Sequence, residues 1–158
     1  MKAILCLALT AVVALGGLSR AQSSKEKDVD SGSAREKLIG AWRLVSLEVP
    51  EPDGQVNRIA DLKGMLLYTR DGHMSVQLMY PKSTSDLTND YVKNGYEASF
   101  GSYDVDELAH TVTHHVQGSI TDGLVGKHLP RMFHFSDGHL VITSSRPDEH
   151  WSVTWEHY

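Results

Sequence analysis

The chain has 158 residues, of which 15 are Lys or Arg and 20 are Asp or Glu, so its formal net charge at pH 7 is −5. An acidic protein repels phosphate backbones and anionic lipid headgroups, and this balance argues against nucleic-acid binding and against docking on such membranes. The single cysteine, Cys6, lies near the N-terminus. The remainder of the chain must therefore be stabilised by its core, without disulfides.

The first 21 residues have the pattern of a cleavable secretory signal. Lys2 gives a positive start, residues 3–15 are apolar at all but one position, and small residues precede a cleavage site after Ala21. The apolar run is shorter than the ~20 residues of a membrane-spanning helix, so we expect no membrane insertion after signal cleavage. Cleavage removes Lys2 and Arg20, which leaves 13 basic residues against 20 acidic ones and a net charge of −7. The pattern predicts a secreted or periplasmic protein.

A polar and charged segment follows the signal. Residues 22–37 carry one large apolar side chain, Val29, and we expect a disordered linker there. The end of this segment has a helix-start signature, with Ser33 three positions before Glu36, and Gly40 limits the helix to one short turn. The predicted organisation is a signal at 1–21, a linker at 22–37 and one domain at 38–158.

From residue 41 onward the pattern is that of β-structure. We expect strands at 41–49, 65–69, 74–80, 100–105, 111–118, 131–135, 140–144 and 151–157, where β-branched and aromatic runs alternate with turn residues. Two Asp-Gly pairs, at 71–72 and 137–138, predict tight hairpins because such turns need positive φ. Residues 81–97 have Leu87 and Tyr91 at helical spacing, which fits a short helix or a long loop. The pattern predicts an all-β barrel or sandwich of about eight strands with one short helical insertion.

Four stretches, in order, resemble the lipocalin-like domain family of small bacterial and fungal proteins. They are LIGAWRLVS at 38–46, YTRDGHMS at 68–75, FGSYDV at 100–105 and VTHHV at 112–116. The closing Trp155-Glu156 is similar too, but His157 stands where the family pattern has Arg, which puts an Arg–Trp stack at the closed end in doubt. The resemblance implies a closed antiparallel barrel whose base is plugged by Trp42.

A barrel of this size either is filled by side chains or holds one small ligand. Because side chains alternate between the two faces of a strand, Trp151 and Trp155 are predicted to share the inward face. His114 lies between two valines, whereas His115 shares a face with polar residues, so His114 is predicted to point inward. The candidate ligand-binding residues are His114, Tyr68, Tyr103, Met74, Trp151 and Trp155. The alternatives are a core histidine satisfied by a neighbour, and tyrosines packed at strand ends.

Nine histidines raise the question of a metal. His114 and His115 project to opposite faces of a strand, and His110 lies ~13 Å from His114 along it, too far for both to bind one ion. A metal site would have to be assembled between strands from the other histidines. We therefore expect no metal and no cofactor.

Catalytic motifs are also missing from the sequence. It has no Gly-x-Ser-x-Gly elbow and no phosphate-cradling loop. The expected function is binding of a small, largely apolar molecule in the barrel interior by a monomer or weak dimer. The alternative is a small barrel enzyme of the cyclase or isomerase type, which would use an inward His or Tyr as general acid or base.

Overall fold

The computed structural model describes residues 32–51, 53–84 and 88–158, and the predicted signal and most of the predicted linker lie outside these ranges. Within them the chain forms one short α-helix, α1 (Ala34–Leu38), and nine strands. The strands are β1 (Gly40–Pro50), β2 (Val56–Arg58), β3 (Lys63–Tyr68), β4 (His73–Met79), β5 (Tyr96–Asp106), β6 (Thr111–Ser119), β7 (His128–Ser136), β8 (His139–Ser144) and β9 (Ser152–His157).

Eight of the described strands form a closed antiparallel barrel. From β3 to β9 each strand pairs with the next, and β1 pairs with both β3 and β9, which closes the sheet. β2 pairs with the end of β1 as a short ninth strand. Closure satisfies the backbone groups that an open sheet would leave at its edges. The predicted barrel is thereby confirmed. No helix among the described residues has the length and apolar character needed to cross a membrane.

The first strand, β1, is bent, and its two halves pair with different neighbouring strands. Its pairing with β9 shifts register between Leu44 and Ser46, so that Val45 is an extra residue and its side chain is 47% exposed. A β-bulge of this kind bends the strand and increases its twist. The start of β1 pairs with β3, whereas its end pairs with β2.

Both predicted hairpins form, and the described part of 81–97 shows the loop, one of the two alternatives predicted there. Asp137 and Gly138 both have positive φ, the combination that a two-residue hairpin turn requires. The one α-helix that the described residues contain is α1, at the place of the predicted short turn, where the Ser33 hydroxyl accepts a hydrogen bond from the Glu36 amide at 3.2 Å. In the described part of 81–97, a single 3₁₀ turn at Lys82–Thr84 precedes an irregular loop. Residues 85–87 lie outside the described residues.

Side chains fill one end of the barrel around Trp42. This residue is 2% exposed, and its indole Nε1–H donates to the Leu38 carbonyl at 2.8 Å. The His157 ring lies against the Trp42 ring, with centroids 3.6 Å apart, so His157 occupies the place for which the family resemblance implies Arg. A Cβ at Gly40 would come within 2.5 Å of the His157 ring, and this close approach requires glycine. The predicted burial of Trp42 is confirmed.

Candidate functional site

The opposite end of the barrel contains a cavity of about 240 Å³. Strands β1, β3, β4, β8 and β9 contribute most of its apolar wall, which includes Leu47, Leu66, Leu78, Ile142, Val153 and Trp155. A few polar groups interrupt this wall, mainly from β5, β6 and β7. Binding sites for small molecules commonly combine an apolar wall with a small number of converging polar groups.

Three of the six predicted ligand-binding residues line this cavity. His114 lies on β6, and Trp151 and Trp155 share the inward face at the end of the barrel sheet, as side-chain alternation predicted. Val153 lies between the two tryptophans on the same wall. The cavity therefore brings together residues from distant parts of the chain.

The other three predicted residues do not line the cavity. Tyr68, Tyr103 and Met74 are 1%, 2% and 3% exposed and belong to the packed end. The rings of Tyr68 and Tyr103 lie against each other, with centroids 4.7 Å apart. Alternation along a strand assigns the inward face to these residues, but it does not give their height along the barrel axis. They pack beneath the cavity.

His114 lies between the cavity and this packed layer. It is 8% exposed, and its Nε2 is 2.6 Å from the Tyr68 hydroxyl oxygen. Burial, reinforced by the charges of Arg131 and His115, lowers the pKa of His114 to about 3. Burial also raises the pKa of Tyr68. Both groups are therefore neutral near pH 7, and the tautomer of His114 sets which of the two donates the hydrogen bond between them.

Arg131 is a cavity residue that the sequence analysis missed. The residue is 6% exposed, and its guanidinium carbon lies 4.9 Å from the ring centre of Trp151 and 5.3 Å from that of Tyr91. Arginine stacks readily on aromatic faces because its planar cation is weakly hydrated. These two rings hold a full positive charge against the cavity.

Glu97 on β5 is a second charged residue that the sequence analysis missed. Its side chain lines the cavity and is half-buried. Burial raises the pKa of Glu97 to about 7, and the positive charge of Arg131 opposes this shift only in part. Glu97 therefore titrates near neutral pH, whereas His114 and Tyr68 do not. A carboxyl group with such a pKa inside a cavity is available for proton exchange.

On the outside of the barrel, His115 faces away from the cavity, as predicted. Its Nε2 lies 2.7 Å from Asp104 Oδ2, and its Nδ1 contacts Nδ1 of His128 on the neighbouring strand. Over the part of the chain that the structure describes, no group of three or more His, Cys, Asp or Glu side chains is placed to hold a metal ion.

Three solved structures are similar to this chain at low identity. A lipocalin-like protein from Bacteroides uniformis is 12% identical, with 77% of this chain and 99% of that chain covered and a TM-score of 0.48. An uncharacterized protein from Bacteroides eggerthii is 13% identical, with 77% and 99% covered and a TM-score of 0.45. The wild-type fluorescent protein UnaG is 13% identical, with 78% and 98% covered and a TM-score of 0.40.

No curated protein matches the sequence. The family described as the lipocalin-like domain matches residues 39–157, which is most of the chain and includes all nine strands of the described residues. This match agrees with the closed eight-stranded barrel of the described residues. The chain therefore belongs to the lipocalin-like domain family.

Proposed function

We propose that this chain is an exported protein, a monomer or weak dimer, that binds a small, largely apolar molecule inside its barrel. The observation that carries the proposal is the cavity of about 240 Å³ with its apolar wall. Export rests on the signal pattern of residues 1–21.

The cost of such a cavity supports a binding role. Without a ligand, the apolar wall of the cavity lacks the burial that stabilises a close-packed core by ~25 cal/mol per Å² of apolar surface. Side chains fill the same barrel around Trp42, which shows that the interior of this fold can be close-packed. A ligand that occupies the cavity recovers the lost contacts.

Binding of a neutral dye tests this proposal. N-phenyl-1-naphthylamine fluoresces when it leaves water for apolar surroundings, and we expect saturable fluorescence with the full chain. Val153→Trp fills the cavity and should abolish the signal, whereas Thr154→Trp, on the opposite face of β9, should retain it. Thermal denaturation shows whether each variant is folded. Dye binding that a folded Val153→Trp retains would place the dye elsewhere and contradict the proposal, as would a wild-type chain that binds no dye.

Glu97 favours a second candidate function, a small barrel enzyme of the cyclase or isomerase type. With a pKa raised to about 7, Glu97 can accept and return a proton near neutral pH. The neutral His114 and Tyr68 are poorly suited to that role. Mass spectrometry of a co-purified molecule before and after incubation separates the two functions. Turnover that Glu97→Gln slows by ~10²–10⁴-fold, at unchanged dye affinity, supports the enzyme, whereas an unchanged molecule supports the binder.

A further inference from the structure

The guanidinium of Arg131 lacks a close acceptor for most of its hydrogen-bond donors. Arginine carries five N–H groups. Among the described residues, Nη1–H of Arg131 donates to the Pro130 carbonyl at a long 3.5 Å, and the Tyr91 hydroxyl is a second hydrogen-bond partner of the guanidinium. The nearest carboxylate oxygen, Glu149 Oε2, is 3.9 Å from Nη1, beyond hydrogen-bond distance. A buried charge in this state is costly unless another partner completes it.

Glu149 cannot easily move closer to Arg131 because other groups already hold it. Its Oε2 accepts from the Ser144 hydroxyl at 2.8 Å, and its Oε1 accepts from the Tyr91 hydroxyl at 2.8 Å. Arg146 forms an ion pair with Oε1 at 3.0 Å. The carboxylate is therefore held 3.9 Å from Arg131, whose side chain lines the cavity.

A further donor lies on the same cavity wall. The indole Nε1–H of Trp155 is, among the described residues, the one buried side-chain polar atom without a hydrogen-bond partner. His114 also lines this wall, and its Nε2 is paired with the Tyr68 hydroxyl. Together with Arg131, the wall therefore presents an excess of donors and one full positive charge. This combination is complementary to an acceptor that carries a negative charge.

We infer that the ligand of this cavity carries a single carboxylate group that binds Arg131, with its apolar body against the Ile142 and Val153 wall; the inference rests on the proposed binding function. The planar guanidinium matches a carboxylate in a bidentate arrangement. The fixed charge of Glu149 disfavours a group with two negative charges, such as a phosphate monoester. Glu97 lines the same cavity and interacts with the charge of Arg131, but no ion pair joins the two side chains among the described residues.

A series of three ligands with the same chain and different head groups tests the inference. Decanoate, 1-decanol and decylammonium displace N-phenyl-1-naphthylamine from the full chain, each used below its micellar concentration. We expect decanoate to displace the dye at a concentration about 10–100-fold lower than decanol, as a charge-assisted hydrogen bond provides, and decylammonium to be the weakest. Equal potency of decanoate and decanol, or a stronger decylammonium, would overturn the inference.

Two matched variants assign the effect to Arg131. Arg131→Met removes the cation and keeps a flexible apolar stem, so the preference for decanoate over decanol should fall by about 10–100-fold. Arg43→Met removes an arginine whose ion pair with Glu156 lies on the outer face of the barrel, and the preference should stay within about threefold of wild type. An unchanged preference in a folded Arg131→Met would overturn the inference. If Arg131→Met does not fold, the comparison of the three head groups on the wild-type chain still tests the inference.

Failure of the inference can be told apart from failure of the proposed function. If the dye binds in the cavity but the three head groups are equivalent, the binding function stands and the carboxylate site does not. If neither the dye nor any of the three ligands binds, both are contradicted.

Discussion

Trp42 and Trp151 lie towards opposite ends of the same barrel and have different surroundings. Trp42 is 2% exposed, donates its indole N–H to a backbone carbonyl and contacts the rings of His157 and Phe135. Trp151 is half-buried, faces the cavity and has the Arg131 guanidinium over its ring. One tryptophan completes a close-packed core, and the other offers a surface to a ligand.

Polar atoms at the two ends differ in the same way. At the packed end, the Tyr103 hydroxyl donates to the Thr69 carbonyl at 2.9 Å, and the Tyr68 hydroxyl is bound to His114. On the cavity wall, the indole N–H of Trp155 has no partner among the described residues, and the five N–H groups of Arg131 have few: a long hydrogen bond to the Pro130 carbonyl and the Tyr91 hydroxyl. Buried polar groups are usually satisfied, so an unsatisfied set around a cavity indicates a missing partner. The packed end stabilises the fold, and the cavity end carries the proposed function.

The largest expected effect is on stability at the packed end. Trp42→Ala should lower the free energy of unfolding by ~3–5 kcal/mol, as large-to-small changes in a core do. Trp151→Ala should cost clearly less, because the Trp151 side chain already borders a cavity. Chemical denaturation of both variants measures the difference. Equal costs, or a Trp42→Ala midpoint within error of wild type, would mean that the two ends are not distinct.

Acid should destabilise the layer between the two ends through His114. The pKa of His114 is about 3 in the folded state and 6.5 in the unfolded state. Between these pH values, His114 is protonated in the unfolded chain and neutral in the folded chain. Stability should therefore fall as pH decreases from 6.5 towards 3. Tyr68 is hydrogen-bonded to His114, and the charges of Arg131 and His115 add to the effect of burial.

The variant His114→Gln isolates this contribution because it removes the titrating group and keeps a hydrogen-bond acceptor for Tyr68. Over that pH range, wild type should lose on the order of 2 kcal/mol more stability than the variant. Denaturation midpoints measured across the range provide the comparison. Parallel pH profiles would show that His114 is solvated and that the packed layer does not seal the cavity floor.

Glu97 should give the opposite pH dependence at the cavity end. Its pKa is raised from 4.5 to about 7, so the folded state disfavours the charged form and stability should fall as pH rises through this interval. Arg131, Tyr80 and His114 line the same cavity, and Arg131 and Tyr80 interact electrostatically with this carboxyl. In Glu97→Gln, this pH-dependent decrease in the free energy of unfolding, about 1–2 kcal/mol, should be absent. The free energy of unfolding of the variant and of wild type is measured at both ends of the interval. If the difference between them does not change with pH, the Glu97 carboxyl is solvated.

The smallest expected effect concerns the affinity of His114 for a polar group on the ligand. His114→Gln should weaken decanol binding by about tenfold, since one hydrogen bond is worth ~1 kcal/mol. His115→Gln is the matched control, because His115 faces away from the cavity and is bound to Asp104. Dye displacement measures both. A sensitive His115 with a silent His114 would reverse the assignment of faces on β6.

Much of the barrel could be predicted because its strands alternate cleanly. On β6, the alternation of Val112, His114 and Val116 gave the inward face, and the same reasoning placed Trp151 and Trp155 on the cavity wall. β2 (Val56–Arg58) was not predicted. It is three exposed residues long, and a strand of that length has no face to bury and so leaves no periodic signal.

The charged cavity residues were missed because charged side chains are usually taken as solvent-exposed. The strand pattern did contain the signal. Arg131 alternates in step with Phe133 and Phe135, so it shares their inward face, and Glu97 is in step with the buried Tyr103. Alternation gives the face of each residue but not its height in the barrel, which depends on register between strands. This is why Tyr68 and Met74 were assigned to the cavity and lie beneath it.

A crystal structure under xenon pressure tests the division of the barrel most directly. Xenon enters apolar cavities and is excluded from close-packed cores. The account predicts xenon density beside Ile142, Val153 and Leu78, which line the cavity, and none around Trp42. Xenon bound at the Trp42 end, or no xenon beside Val153, would contradict the account.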